Sequence, residues 1–447
     1  MQERTIAAIS TPFGVGGIAV IRVSGADALA ITDKIFRGKQ KLSEAASHTV
    51  HYGHIKDENG NVLDEVLVTV MHAPKTYTRE NVAEISTHGG ITASKSVLAA
   101  LIKAGAYPAD AGEFTKRAFL NGRIDLSQAE GVIDIINAKT AAEQKNALSQ
   151  AEGGLSKEIN AVREELVRLA AGMQVAIDYP DEDLEDLTTL DIAELIGKNL
   201  ERVKRLLATA DSGRVLKEGI KTAIVGKPNV GKSSLLNCLA REDRAIVTDI
   251  AGTTRDVIEE FVNFDGVPMR LLDTAGIHET SDAVEKIGVE RSRRAIDEAD
   301  LVILMLDTSR ELDGEDERLL ELTAEKKRLI IANKSDIKRA EFDGALAISA
   351  KTGEGIDLLC KEIKKLYKLG EIGACDSVII TNMRHAAALE GSRAALKRAY
   401  DAITGGLPQD MAALDIYEAI DRLGEITGDT VSESIVSEIF HSFCVGK

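Results

Sequence analysis

Hydrophobic positions change their period three times along this chain. Up to residue 118 they form short runs rich in β-branched residues, GIAVIRVSG, VLVTVM and NVAEIST, set between glycine-containing turns. That alternation predicts an α+β domain over 1–118. From 119 to 215 apolar residues recur every three or four positions, in EGVIDIINAKTAAEQKNALSQ and again in INAVREELVRLAAGMQVAI, which predicts helices. Pro180, inside the acidic stretch DYPDEDLEDL, reads as a solvated turn between two of them. From 216 to 372 strands and helices alternate: KTAIVG, MRLLDTAG, LVILMLD, RLIIANKSD and ALAISA are continuous apolar runs of the kind that buried parallel strands show. From 373 to 447 the pattern is helical again. TVSE at 430–433 predicts a capping box opening a last helix, SESIVSEIFHSF. Helix on both sides of an α/β block predicts one discontinuous all-α domain with the α/β domain inserted.

Composition narrows the picture. Aromatic residues make up 4% and Trp is absent, so Leu, Ile, Val and Ala must fill the cores. Four cysteines (Cys238, Cys360, Cys375, Cys444) form no CxxC pair, which argues against a zinc site or disulfide framework and for a reducing compartment. The N-terminal MQERTIAAIS carries no basic segment followed by a long apolar run, and LVILML at 301–306 is too short to span a bilayer. A soluble, cytoplasmic protein with no membrane segment is expected. The net charge of −17 argues against a broad basic face for nucleic acid, so any RNA must meet a local patch or be held by a partner.

The chemistry sits in the α/β block. GKPNVGKS at 226–233 follows one strand and opens a helix, the setting a phosphate-binding loop requires. Its glycines let backbone N–H groups curl around phosphate oxygens, Lys232 opposes the β- and γ-phosphates, and the Ser233 hydroxyl suits Mg2+. Asn229, Val230, Gly231 and Ser234 complete the loop. In DTAG, Asp273 can hold the metal's water shell and Gly276 can offer its N–H to the γ-phosphate, with Thr274 and Ala275 between them. In NKSD, the Asp336 carboxylate can accept from guanine's ring N–H and exocyclic amine, an arrangement adenine cannot satisfy. Asn333 can bond the purine edge, Lys334 can pack on the ring, and Ser335 links them. SAK, Ser349 to Lys351 through Ala350, adds a backbone N–H for guanine's carbonyl. Order and spacing match a Ras-like P-loop GTPase. TDIAGTTRDV supplies Thr248, Asp249, Ile250, Ala251, Gly252, Thr253 and Thr254. Thr254 is the natural second Mg2+ ligand. Arg255 reads equally as an arginine finger or as a solvated loop cation. Ile277 follows DTAG where Ras-type enzymes place a water-orienting glutamine, so hydrolysis needs other help. A monovalent-cation cage from Asn229 and the carbonyls of Thr248, Ile250 and Thr253 is one route, beside the plain reading of Asn229 as a loop residue.

Four stretches together resemble the tRNA-modification GTPases of the MnmE (TrmE) family: TPFGVGGIAVIRVSG at 11–25, AGEFTKRAFLNGRIDLSQAE at 111–130, the nucleotide motifs, and FCVGK at 443–447. The resemblance implies a homodimer through N-terminal domains that bind a 5-formyltetrahydrofolate-type one-carbon carrier. It implies K+ at Asn229, Thr248, Ile250 and Thr253, Mg2+ at Ser233 and Thr254, and Glu285 orienting the hydrolytic water. It implies folate contacts at Arg22, Glu84, Arg123 and Lys447. A flavin-dependent partner, MnmG (GidA), would join in adding a carboxymethylaminomethyl-type group to C5 of the wobble uridine of certain tRNAs. Without the resemblance, Glu285 reads as a solvated helix charge and Arg22 as a charge at a strand edge.

Cys444 poses a separate question. CVGK is no prenylation box, because Gly446 occupies an aliphatic slot and Lys447 comes last. A buried structural thiol and a thiol held in a substrate site remain, and the second is favoured, as nucleophile, acid or ligand. The alternative function is a non-catalytic GTPase switch such as a ribosome-assembly factor.

Overall fold

The computed structural model describes residues 4–178, 188–242, 260–272, 293–337, 342–367 and 378–447. They divide into two compact units, one of residues 1–133, 150–163 and 421–447, the other of 134–149 and 164–420.

The first unit is built on a seven-stranded sheet: β1 (Ile6–Ile9), β2 (Ile18–Ser24), β3 (Phe36–Gly38), β4 (Thr49–Lys56), β5 (Val62–Met71), β6 (Val82–His88) and β7 (Tyr107–Pro108), in the order β3-β4-β5-β6-β2-β1-β7. Only β1 and β7 pair in parallel. The two-residue period sets its faces. Ile21, Val23, Val66, Val68, Val70 and Ile85 are buried beside α1 (Ala28–Ile35) and α2 (Ile91–Ala104). The other face holds exposed Val50, Tyr52 and Leu67 together with the polar pair Arg22 and Glu84, which face each other across β2 and β6. Arg22 thus lies in an interior strand, between β6 and β1, not at an edge, and its charge there meets Glu84 across the ladder.

α3 (Glu113–Leu120) and α4 (Leu126–Asn137) follow. Leu126 and Ala129 of α4 share a core with Val436, Phe440 and Phe443 from the closing segment. The helix there spans Glu433–His441, with Ser432 as N-cap and no side-chain cap bond, so the TVSE capping box does not form. The Thr430 hydroxyl instead donates to the Asp421 carbonyl at 2.9 Å. Beyond the helix the chain folds back. Ala111 and Val445 form an antiparallel bridge, the Phe114 N–H donates to the Lys447 carbonyl at 3.2 Å, and the Ser10 hydroxyl donates to Gly446 O at 3.0 Å. Gly446 has φ +95°, and a Cβ there would lie 2.5 Å from the Ile9 carbonyl, so this close approach needs glycine.

α5 (Ala141–Ala151), α6 (Gly154–Asp178), α7 (Thr189–Leu207) and α8 (Ala210–Glu218) form much of the helical zone. α7 opens on a true capping box, Thr188 with Asp191. The second unit's six-stranded sheet comprises β8 (Ile220–Val225), β9 (Glu260–Phe264), β10 (Val267–Leu271), β11 (Leu301–Asp307), β12 (Arg328–Asn333) and β13 (Leu346–Ala347), ordered β13-β12-β11-β8-β10-β9. It is parallel except for the β9–β10 pair. Every β11 residue is buried, with Ile303 and Met305 in one apolar cluster and Val302 and Leu304 in another. The continuous run LVILMLD is therefore a central strand with core on both sides.

Candidate functional site

The parallel strands of the second unit end together, and the loops beyond their carboxyl ends form a site, the position an open α/β sheet favours. β8 runs into the loop 226–231, and α9 (Lys232–Glu242) starts at Lys232. Asn229 has φ +63°, an uncommon left-handed conformation for a non-glycine residue. Gly231, at φ +106°, lies so near the Asn333 amide that any side chain would collide with it. The Lys232 ammonium donates to the carbonyls of Gly226 (2.5 Å) and Lys227 (3.3 Å), and burial pushes its pKa below the usual value.

Asn333, at the end of β12, ties three loops together. Its Nδ2 donates to Val230 O at 2.7 Å, and its Oδ1 accepts from the Ala350 N–H at 2.9 Å. Its side chain is thus used to space the phosphate loop from the other two. Lys334 has φ +68° and pairs with Asp307 at 2.6 Å. Burial opposes ionisation of Asp307, yet hydrogen bonds from Lys334 and Ser309 hold its carboxyl below the ordinary range. The Ser349 hydroxyl donates to Asp336 Oδ1 at 2.8 Å, fixing one carboxylate oxygen. The Ser335 N–H donates to Ile348 O at 3.1 Å. Val230 lies in the loop before α9, Ser233 and Ser234 in the first turn of α9, and Lys351 in the turn that follows β13. Thr248, Asp249, Ile250, Ala251, Gly252, Thr253, Thr254, Arg255, Asp273, Thr274, Ala275, Gly276 and Glu285 lie outside the described residues.

In the first unit, Arg22 donates to Glu84 Oε1 from Nε (2.8 Å) and from a terminal nitrogen (2.7 Å). Its guanidinium lies 5.7 Å from the centre of the Tyr77 ring and 5.6 Å from that of Phe114. Arg123 approaches Tyr77 at 4.7 Å. Tyr77 is held by its hydroxyl, 2.9 Å from Thr115 Oγ1. Phe114, whose N–H binds the Lys447 carbonyl, brings the tail to the same place. Arg22 and Arg123 thus gather on Tyr77, Arg22 also on Phe114, with Glu84 joined through Arg22 and the Lys447 carbonyl through the Phe114 N–H.

The family model of the MnmE helical domain matches residues 126–444, and that of the GTP-binding protein TrmE N-terminus matches residues 5–123. The chain belongs to the MnmE family of tRNA modification GTPases. The MnmE of Acetivibrio thermocellus is 49% identical over 457 residues, covering 100% of both chains. That of Lactobacillus delbrueckii subsp. bulgaricus is 50% identical over 453 residues, covering 99% of this chain and 98% of the relative. That of Listeria welshimeri is 50% identical over 458 residues and covers 100% of each. Among solved structures, Aquifex aeolicus Era bound to GDP and AlF4− matches at 29% identity and TM-score 0.26, covering 39% of this chain and 65% of that one. The FeoB G-domain of Methanococcus jannaschii matches at 23% and TM-score 0.24, covering 33% and 96%.

One residue of this cluster carries no motif signal, Tyr77. Tyr77 sits in the loop APKTYTREN, and only the fold shows both arginines gathering on it. Cys444 is exposed, and its carbonyl accepts from the Gly112 N–H at 3.4 Å. Among the described residues no helix is long and apolar enough to cross a membrane, and no group of three or more His, Cys, Asp and Glu is placed to hold a metal.

Proposed function

We propose that this MnmE-family chain is a cytoplasmic, K+-stimulated GTPase that works with a flavin-dependent MnmG partner. Together they add a carboxymethylaminomethyl-type group to C5 of the wobble uridine of certain tRNAs. The observation that carries the GTP assignment is the Ser349–Asp336 hydrogen bond beside the loops that Asn333 ties together. A carboxylate held there accepts two N–H bonds from guanine and meets none in adenine. Lys232 holds the phosphates. Ser233 with Thr254 would hold Mg2+, and Asn229 with the carbonyls of Thr248, Ile250 and Thr253 would hold K+. These ions supply positive charge against the phosphates. Glu285 orients the water, and Arg255 faces developing charge.

In the first unit, Arg22, Glu84, Arg123 and Lys447 take a 5-formyltetrahydrofolate-type carrier. Arginine and lysine suit its glutamate carboxylates, and a carboxylate suits its pterin N–H edge. Tyr77 and Phe114 supply the faces on which such a ring packs. The exposed Val50, Tyr52 and Leu67 on the open sheet face favour a homodimer. Cys444 serves that one-carbon site. The domains run 1–118, 119–215, 216–372 and 373–447, the second and fourth forming one helical domain.

The test is nucleoside analysis of tRNA from cells lacking the gene. Loss of the wobble modification is expected, and unchanged wobble uridines overturn the reading. Turnover of GTP in K+ should exceed that in Na+, and Asn229→Ala should abolish the difference.

A further inference from the structure

A cavity of about 570 Å³ opens between α3 and the helix Glu433–His441, apart from the residues assigned above. Phe440, 1% exposed, lies at its base, and Leu120, 60% exposed, stands at its side. Two of its charged side chains are already spent. Arg117 is bound by Glu80, Glu113 and the Arg4 carbonyl, and Glu113 accepts from Arg117 at 2.7 Å and from the Asp110 N–H at 2.8 Å. Lys116, His441 and Asp110 also line the cavity, and none has a side-chain partner among the described residues. Lys116 is half-buried. With no counter-ion among the described residues, its ammonium is left to pair with a bound anion. One rim is Ala111, bridged to Val445, so the cavity lies beside the backbone of Cys444.

We propose that this cavity seats one nucleotide of a single-stranded RNA. Its phosphate faces Lys116 and His441, its base covers Leu120, and Asp110 accepts from a sugar hydroxyl or base N–H. The lining suits this occupant better than a simple anion, because it sets one ammonium, one imidazole and one free acceptor around an apolar floor. It also reconciles RNA recognition with a chain of net charge −17, since the contact is local. The inference rests on the tRNA reading above and names where that substrate meets the protein.

The test measures binding of a fluorescent anticodon stem-loop RNA to the full chain by anisotropy, across a salt series, with uridine monophosphate as the alternative ligand. Lys116→Ala should weaken RNA binding roughly tenfold and make the log–log salt slope shallower by about 1, the signature of one lost phosphate contact. Lys116→Arg should restore most of the affinity, and His441→Ala should weaken it less. GTP turnover and the urea midpoint should not move, which separates a lost contact from a damaged fold. RNA affinity and slope unchanged in both alanine variants overturn the site. Uridine monophosphate binding as tightly as the stem-loop overturns the strand and leaves a free-nucleotide pocket in its place. Failure of the unsubstituted chain to bind the RNA at all, with normal wobble uridines in the deletion strain, overturns the tRNA reading and this inference with it. The same failure with missing wobble modification overturns the inference alone.

Discussion

Asn333→Ala isolates the joint on which the nucleotide site depends. The side chain is 3% exposed and bonds Val230 O at 2.7 Å and the Ala350 N–H at 2.9 Å. Val230 is 2% and Ala350 6% exposed, so water does not readily replace either bond. Each orphaned backbone group costs about 1–3 kcal/mol, giving about 2–6 kcal/mol for the pair. Loosening of the loops recovers part of that, and a loss of about 2–4 kcal/mol of stability is expected. The same loosening separates the phosphate loop from Asp336 and Ala350, so nucleotide affinity should fall by at least about tenfold, equivalent to about 1.4 kcal/mol. Urea unfolding followed by far-UV circular dichroism reads the first quantity. Displacement of a fluorescent GDP analogue reads the second. A variant within about 0.5 kcal/mol of the parent and within twofold in affinity would refute the idea that Asn333 spaces the loops.

Other outcomes follow from the same geometry. Asp336→Asn should lose GTP affinity by more than about a hundredfold and gain xanthosine triphosphate, whose position 2 carries a carbonyl that an amide can donate to; competition between the two nucleotides checks this. Tyr77→Ala removes the ring beneath Arg22 and Arg123 and should weaken binding of a folate analogue roughly fivefold to thirtyfold, while Tyr77→Phe keeps most of it; calorimetry distinguishes them. Iodoacetamide at about pH 8 should label exposed Cys444 and spare buried Cys360, as peptide mass mapping would show. Burial, with Asp265 alongside, pushes the Cys360 thiol up from 9.0 to about 12. The unfolded chain therefore releases this proton first, and the group subtracts stability as pH rises from about 9 towards 12; Cys360→Ala should flatten that decline in urea midpoints.

Much of the second unit was legible because its determinants are local. LVILMLD is apolar at every position, and only a strand covered on both faces satisfies that run. GKPNVGKS and NKSD carry their chemistry within a few residues. What the motifs could not supply was the use of Asn333, since its partners are 103 and 17 positions away. The first unit was legible in class but not in assembly. Arg22 looks like an edge charge until Glu84, 62 residues on, is paired across the ladder. Tyr77 carries no periodic or motif signal at all. The TVSE reading failed for a related reason, since Thr430 was drawn to the Asp421 carbonyl and Ser432 took the cap. Short-range pattern predicts which groups can bond, and packing decides which of the competing bonds forms.

The border between the two compact units falls after residues 133, 149, 163 and 420, and in each case inside a helix: α4, α5, α6 and Gln409–Thr427. A gene fragment ending at any of them would halt mid-turn, stranding carbonyls that the next residues should bond. Dissection of this protein into separately expressed halves should therefore yield aggregates rather than working pieces, and its enzymology is best pursued with the intact polypeptide.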